Sequence, residues 1–150
     1  MPNPDAFTAL GKHQTTFTNL DVFDRPEHVV EVILTGEELT AFCPITHQPD
    51  FYRYEVRYRP VTSCIESKTF KLLIGSFRDQ AAFAETLASD IAQLVHEATG
   101  AATDVTLTQQ VRGGVSITAK ASIPATGPSR STGTTSAATS TATAAPCPVS

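Results

Sequence analysis

The chain has 150 residues, 41% of them hydrophobic, with three cysteines and a formal net charge of −4. That suffices for one domain with a modest core, and the scattered basic residues, clustered only at Arg53, Arg57 and Arg59, argue against a dedicated nucleic-acid surface. No apolar run approaches a membrane span, and the start lacks the basic and apolar regions of a secretion signal, so a cytoplasmic protein with free thiols is expected.

Residues 1–20 are polar and weakly patterned, and weak order is expected there. "EHVVEVILT" (Glu27–Thr35) is rich in β-branched residues and reads as a strand. "GEELTAFCPITHQPD" reads as turn and loop. "FYRYEVRYRP" then alternates strictly: Tyr52, Tyr54, Val56 and Tyr58 face one way, and Arg53, Glu55, Arg57 and Arg59 the other. That is a half-buried antiparallel strand, ended by Pro60. In "ESKTFKLLIGSFRD" the period changes, and Phe70, Leu73, Ile74 and Phe77 fall on one helical face. Asp79 is the expected N-cap of a second helix, with Phe83, Leu87, Ile91, Leu94 and Val95 inward and Gly100 as terminator. "TDVTLTQQV" and "GVSITAK" read as a hairpin joined at Arg112–Gly113. The order β-β-α-α-β-β predicts an α+β domain over residues 21–123, two helices covering one face of an antiparallel sheet. From Ala121 onward, twenty of thirty residues are Ala, Ser or Thr. Such a segment has too little apolar surface to offset its ordering entropy, so 124–150 is expected to be a disordered tail.

Among residues able to do chemistry, Cys43 stands out. "FCPITHQPDF" holds a thiol and a carboxylate, Asp50, on one loop stiffened by Pro44 and Pro49. They admit two readings: a nucleophile with its acid/base partner, or a packed cysteine and a turn aspartate. If the first, Asp50 opposes thiolate formation, so its role is to move a proton during reaction. Cys64, leading into the first helix, reads as packing, and Cys147 falls in the tail. Glu66 and Ser67 are ordinary residues for a helix start. Lys68 opposes the helix dipole there and suits a bound anion, with Lys71 one turn on. Glu85 lies early in the second helix. "RGG" (Arg112–Gly114) is either a plain turn or a place where backbone and arginine approach a phosphate. No His/Cys cluster has zinc-ligand spacing, so no metal is expected.

"CPITHQPDF" followed by "ESKTFKLLIGSFR" resembles the short, single-domain NADPH-dependent 7-cyano-7-deazaguanine reductases, the nitrile reductases of queuosine biosynthesis. The likeness spans Leu20 to Ile123, with 23 residues from Cys43 to Glu66, 19 more to Glu85, and "RGG" in the place of the final motif. It implies the tunnelling fold (T-fold) shared with GTP cyclohydrolase I, whose subunits join their sheets into a barrel, usually a ring stacked on a ring, with sites between subunits. A homo-oligomer follows, with no direct nucleic-acid or membrane partner. By resemblance Cys43 adds to the nitrile as a thioimide, Asp50 gives the proton, and two NADPH deliver hydrides to form 7-aminomethyl-7-deazaguanine. Glu66, Ser67 and Glu85 would read the substrate base; Lys68, Lys71, Arg112 and Gly113 would meet the cofactor. Two positions depart from the pattern: Ala84 stands where the family usually has histidine, and His47 where it commonly has glycine. His47 is therefore a candidate replacement for the absent imidazole. Two rival readings remain: an amidinotransferase-like enzyme adding ammonia to the same thioimide, and a non-catalytic deazaguanine-binding protein.

Overall fold

The computed structural model describes residues 16–126. The expected disordered tail, 124–150 with Cys147, lies outside the described residues apart from 124–126, and the expected weakly ordered N-terminus, 1–20, is described only from residue 16. The elements run β1 (Val22–Asp24), β2 (Val32–Phe42), β3 (Pro49–Arg59), β4 (Ser63–Ile65), α1 (Ser67–Ser76), α2 (Ala84–Thr99), β5 (Ala102–Gln109) and β6 (Thr118–Ile123). Strands β2-β3-β5-β6 form one sheet with every neighbour antiparallel. The short β1 and β4 pair separately. The α+β architecture with two helices on an antiparallel sheet is the expected one; the small β1–β4 pair is an addition to the expected order.

The alternation in β3 is realised. Tyr52, Val56 and Tyr58 are buried to 1% exposure or less. They pack with Leu39, Ala41, Val105 and Leu107 from neighbouring strands against Phe70, Leu73, Leu87 and Ile91 of the helices. The outward arginines are not a free cationic patch. Arg53 pairs with Glu37, and Arg57 with Glu31 and Glu55, each at 3.1 Å. Phe17 and Leu20 also join the core, so the packed chain begins shortly before residue 21.

Three boundaries differ from expectation. Gly36–Phe42, read as turn and loop, continues strand β2. The pairing with β3 shifts register between Gly36 and Leu39, and beyond that bulge Leu39 and Ala41 point inward at 0% exposure. Gly36 is required there because a Cβ would lie 2.4 Å from the Tyr54 ring. Asp79 does not cap α2. It ends a 3₁₀ turn, Phe77–Asp79, and α2 starts only at Ala84. The intervening residues are drawn to the end of β2: the Phe42 N–H donates to the Gln80 carbonyl (2.8 Å) and the Ala82 N–H to the Phe42 carbonyl (3.1 Å). Phe83 is thereby left outside the helix and 52% exposed. Finally, β6 starts at Thr118 rather than Gly114, because residues 112–115 form their own tight turn. Gly100 closes α2 in the left-handed conformation (φ 65°), as expected.

Candidate functional site

Cys43 follows the last residue of β2 and opens the loop that returns to β3. The loop closes on itself: the Cys43 N–H donates to the Gln48 carbonyl (2.9 Å), and the His47 N–H donates to the Cys43 carbonyl (2.9 Å). Residues 43–47 therefore make one helical turn, which reverses through His47 at φ 54°. Glycine reaches that backbone region without strain. Within the turn the half-buried Cys43 sulfur sits where a helix-capping oxygen would. The Thr46 hydroxyl, then the amides of Thr46 and Ile45, hydrogen-bond to it and hold its pKa below that of an ordinary thiol; partial burial and the Asp50 charge push the other way. Thr46 is itself oriented by the Gln48 N–H, which donates to its Oγ1 at 3.3 Å.

Asp50 is the second residue of β3 and shares the inward face with Tyr52. Its side chain is 9% exposed, and Arg112 donates to its Oδ1 at 2.6 Å. The same guanidinium donates to the Pro49 carbonyl and, at 2.9 Å, to Gln48 Oε1. What delivers Arg112 across from the other hairpin is the "RGG" turn. Arg112 and Val115 exchange both backbone hydrogen bonds (2.9 and 3.0 Å) around Gly113 (φ 57°) and Gly114 (φ 81°). Two consecutive positive φ values define a type I′ turn, which glycine alone makes cheaply.

A cleft of about 450 Å³ opens between this loop, the Arg112 turn and the start of α2, lined among others by Cys43, Asp50, Tyr52, Ala84, Glu85 and Arg112. The backbone tie between Phe42 and residues 80–82 draws the start of α2, and Glu85 with it, to the cleft. A larger hollow of about 600 Å³ lies around Glu37, Arg53, Glu55 and Lys120 and contains none of the nominated residues. We take the smaller cleft as the site because the chemistry converges there.

The nominated residues thus fall into two groups. Cys43, Asp50, Glu85, Arg112 and Gly113 share the cleft. Glu66, Ser67, Lys68 and Lys71 do not line it. Glu66 is the N-cap of α1, its carboxylate accepting from the amides of Lys68 (2.8 Å) and Thr69 (2.9 Å), which is the ordinary helix-start role. Ser67 and Lys68 open α1, and Lys71 lies one turn on, beside Arg78 and Glu38. Arg112, nominated for a cofactor phosphate, is instead engaged by Asp50 and the thiol loop. His47, the candidate replacement for the imidazole absent at Ala84, is exposed and does not line the cleft. Cys64 is buried in β4, a packing residue. Two contributors were missed in the sequence. Thr46 could have been found from its place two residues before Gln48 in a closed turn. Tyr52 was read only as core, although its i, i+2 relation to Asp50 puts both on one strand face. Among the described residues no helix is long and apolar enough to cross a membrane.

Residues 49–126 match a family model described as QueF-like protein. The NADPH-dependent 7-cyano-7-deazaguanine reductase of Alkalilimnicola ehrlichii is 38% identical over 109 residues, 72% of this chain and 81% of that one. The proteins of the same name from Syntrophobacter fumaroxidans and Anaeromyxobacter sp. are 42% and 39% identical, over 57% and 45% of this chain. The aligned part spans about half of those two relatives' own length, 56% and 55%. Among solved structures, the apo archaeosine synthase QueF-Like superposes with a TM-score of 0.60 at 25% identity, over 66% of this chain and 97% of that chain. With more than half of its residues inside the family match, and the Alkalilimnicola protein aligned over four-fifths of its length, this chain belongs to the QueF-like family.

Proposed function

We propose that the chain reduces the nitrile of 7-cyano-7-deazaguanine to a primary amine, 7-aminomethyl-7-deazaguanine, with two NADPH, through a thioimide on Cys43. The observation that carries this reading is the thiol of lowered pKa in one cleft with Asp50 and Glu85. The Cys43 sulfur adds to the electrophilic cyano carbon and one C–N π bond opens; the proton that leaves the thiol is relayed by the Asp50 carboxylate to the nitrogen. Arg112 fixes that carboxyl in place and offsets its repulsion of the thiolate. Glu85 is suited to accept from the ring N–H groups of a purine-like base.

NADPH, where bound, supplies the hydride equivalents. The residues here fit it in part. Two α1 amides are taken by Glu66, so an anion at that helix start would meet the side chains of Lys68 and Lys71 rather than an open amide cradle. Because α1 and the cleft are separate, the reading requires a site completed by a second copy, with Glu66 and Ser67 of one subunit beside Cys43 of another. Ile45, Phe83, Val111 and Val115 stand exposed around the cleft, and β2 and β6 are open sheet edges, as a T-fold barrel of joined sheets in a cytoplasmic homo-oligomer would need. Native mass spectrometry giving only monomer at micromolar concentration would remove that part of the reading.

The test of the activity is loss of NADPH absorbance when the nitrile is added, absent in Cys43→Ala. The similarity to the archaeosine synthase structure and the small Ala84 favour a second reading, addition of ammonia to the same thioimide. Product mass with NADPH or with ammonium separates the two. A Cys43 adduct without turnover in either case would identify a binding protein.

A further inference from the structure

All three tyrosines of the chain lie on one face of β3, and two are accounted for by the fold. The Tyr58 hydroxyl accepts from the Ile65 N–H at 2.9 Å. The Tyr54 ring meets Phe70 edge-on, with centroids 5.9 Å apart, and lies against Gly36. Tyr52 alone of the three lines the cleft with the thiol. It is 1% exposed, its strand neighbours are Leu39 and Gln109, and no described residue hydrogen-bonds its hydroxyl. Every fully buried side-chain polar atom among the described residues has a partner. The hydroxyl is therefore the part of Tyr52 that reaches the cleft wall it forms.

Tyr52 shares the cleft lining with the reacting groups. Tyr52 follows Asp50 by two residues on the same strand face, roughly 7 Å along the strand. Burial, and after it the charges of Asp50, Cys43 and Glu85, push the phenol up to about 12, with Arg112 opposing. It is consequently neutral, and a hydrogen-bond donor, throughout the physiological range. Ala84 presents only a methyl to the same cleft, so α2 brings no polar side chain there before Glu85. His47 does not line the cleft. The ionised Asp50 carboxylate only accepts hydrogen bonds, whereas the phenol is a donor.

We propose that Tyr52 is a further substrate-contacting residue, its hydroxyl donating a hydrogen bond to the nitrogen of the cyano group while the Cys43 sulfur bonds to the cyano carbon. The inference rests on the nitrile reading of the cleft and adds to it the residue that stabilises charge on that nitrogen. The experiment uses the full chain and Tyr52→Phe, with Tyr54→Phe as the control for loss of a phenol hydroxyl on the same strand. Two rates are measured: formation of the Cys43 adduct by intact mass after mixing with 7-cyano-7-deazaguanine alone, and NADPH consumption at varied substrate. Tyr52→Phe keeps the ring, and its hydroxyl has no hydrogen-bond partner among the described residues, so Tm should stay unchanged. Adduct formation and kcat should fall roughly 10- to 100-fold with KM changed far less, as expected for a donor to developing charge; Tyr54→Phe should match the unaltered chain. Adduct formation in Tyr52→Phe within twofold of the unaltered chain overturns the assignment, as does a slowing that tracks a lowered Tm. Failure of the unaltered chain itself to form an adduct overturns the nitrile reading, and the assignment with it.

Discussion

Replacing Arg112 by alanine removes the only cation hydrogen-bonded to Asp50 among the described residues and leaves that carboxylate, 9% exposed, unpaired. A hydrogen bond to a charged group contributes about 1.5–3 kcal/mol when well buried, and an exposed ion pair about 0.2–1. Arg112 is 39% exposed, so solvent screens the pair from one side, and a cost between those bounds follows, about 1–2 kcal/mol. The contacts to Pro49 and Gln48 lie at the surface and add little. For a domain of this size that loss lowers Tm by roughly 4–8 °C. Calorimetry on Arg112→Ala, Asp50→Asn and the double variant isolates the pair, whose coupling should be about 1 kcal/mol. The thiol gives a second reading. With Arg112 gone, the Asp50 charge acts on Cys43 unopposed, so alkylation of Cys43 at neutral pH should slow in Arg112→Ala and recover in the double variant. A Tm within 1 °C of the unaltered chain, or a coupling below about 0.3 kcal/mol, would refute the claim that this ion pair holds the cleft together.

Thr46→Val removes the largest influence lowering the Cys43 pKa, so the thiol should titrate at higher pH and the alkylation-versus-pH midpoint should move up; a midpoint that stays or falls contradicts the capping geometry. The measurement is cleanest in a Cys147→Ser background, since Cys64 is buried. Gly36→Ala places a methyl against the Tyr54 ring, which cannot retreat without leaving Phe70. Urea denaturation should show a loss of about 1–3 kcal/mol. Glu66→Ala deletes both cap hydrogen bonds of α1 and should cost about 1–2 kcal/mol in the ligand-free chain, whatever its effect on turnover. Unchanged stability would mean that its carboxylate does not cap the helix.

The fold was legible where one periodicity dominated. β3 alternates from Tyr52 to Arg59, and Phe70, Leu73, Ile74 and Phe77 are all buried on one side of α1 and its following turn. The errors came where a local signal was overridden by pairing with a distant segment. "GEE" at 36–38 has turn composition, yet β3 supplies a partner along its length and the strand absorbs it as a bulge. Asp79 is a good capping residue, yet Phe42 holds residues 80–82 extended, so the helix starts late and without a side-chain cap. The thiol and the carboxylate could be nominated because they are close in sequence. The partner of Asp50 could not, because Arg112 lies 62 residues away and reaches it only through a two-glycine turn.

That long-range contact bears on how a thiol and an acid can work side by side. The Asp50 charge pushes the Cys43 pKa up, and a protonated thiol is a poor nucleophile. The chain separates the two demands. Inside the loop, a hydroxyl and two amides converge on the sulfur and favour its anion, and they come from Thr46 and Ile45, which are fixed by the same turn that positions Cys43. Outside the loop, a guanidinium from a different hairpin is set against the carboxylate, on the Oδ1 oxygen. Neither device uses the helix dipoles or the burial that perturb acids in deeper sites, and both depend on backbone turns of narrow conformational choice: the His47 reversal for one, Gly113–Gly114 for the other. The reactivity of the thiol is therefore a property of turn geometry. It should fall, as in Arg112→Ala, through backbone substitutions at Gly113 and Gly114 that touch neither Cys43 nor Asp50.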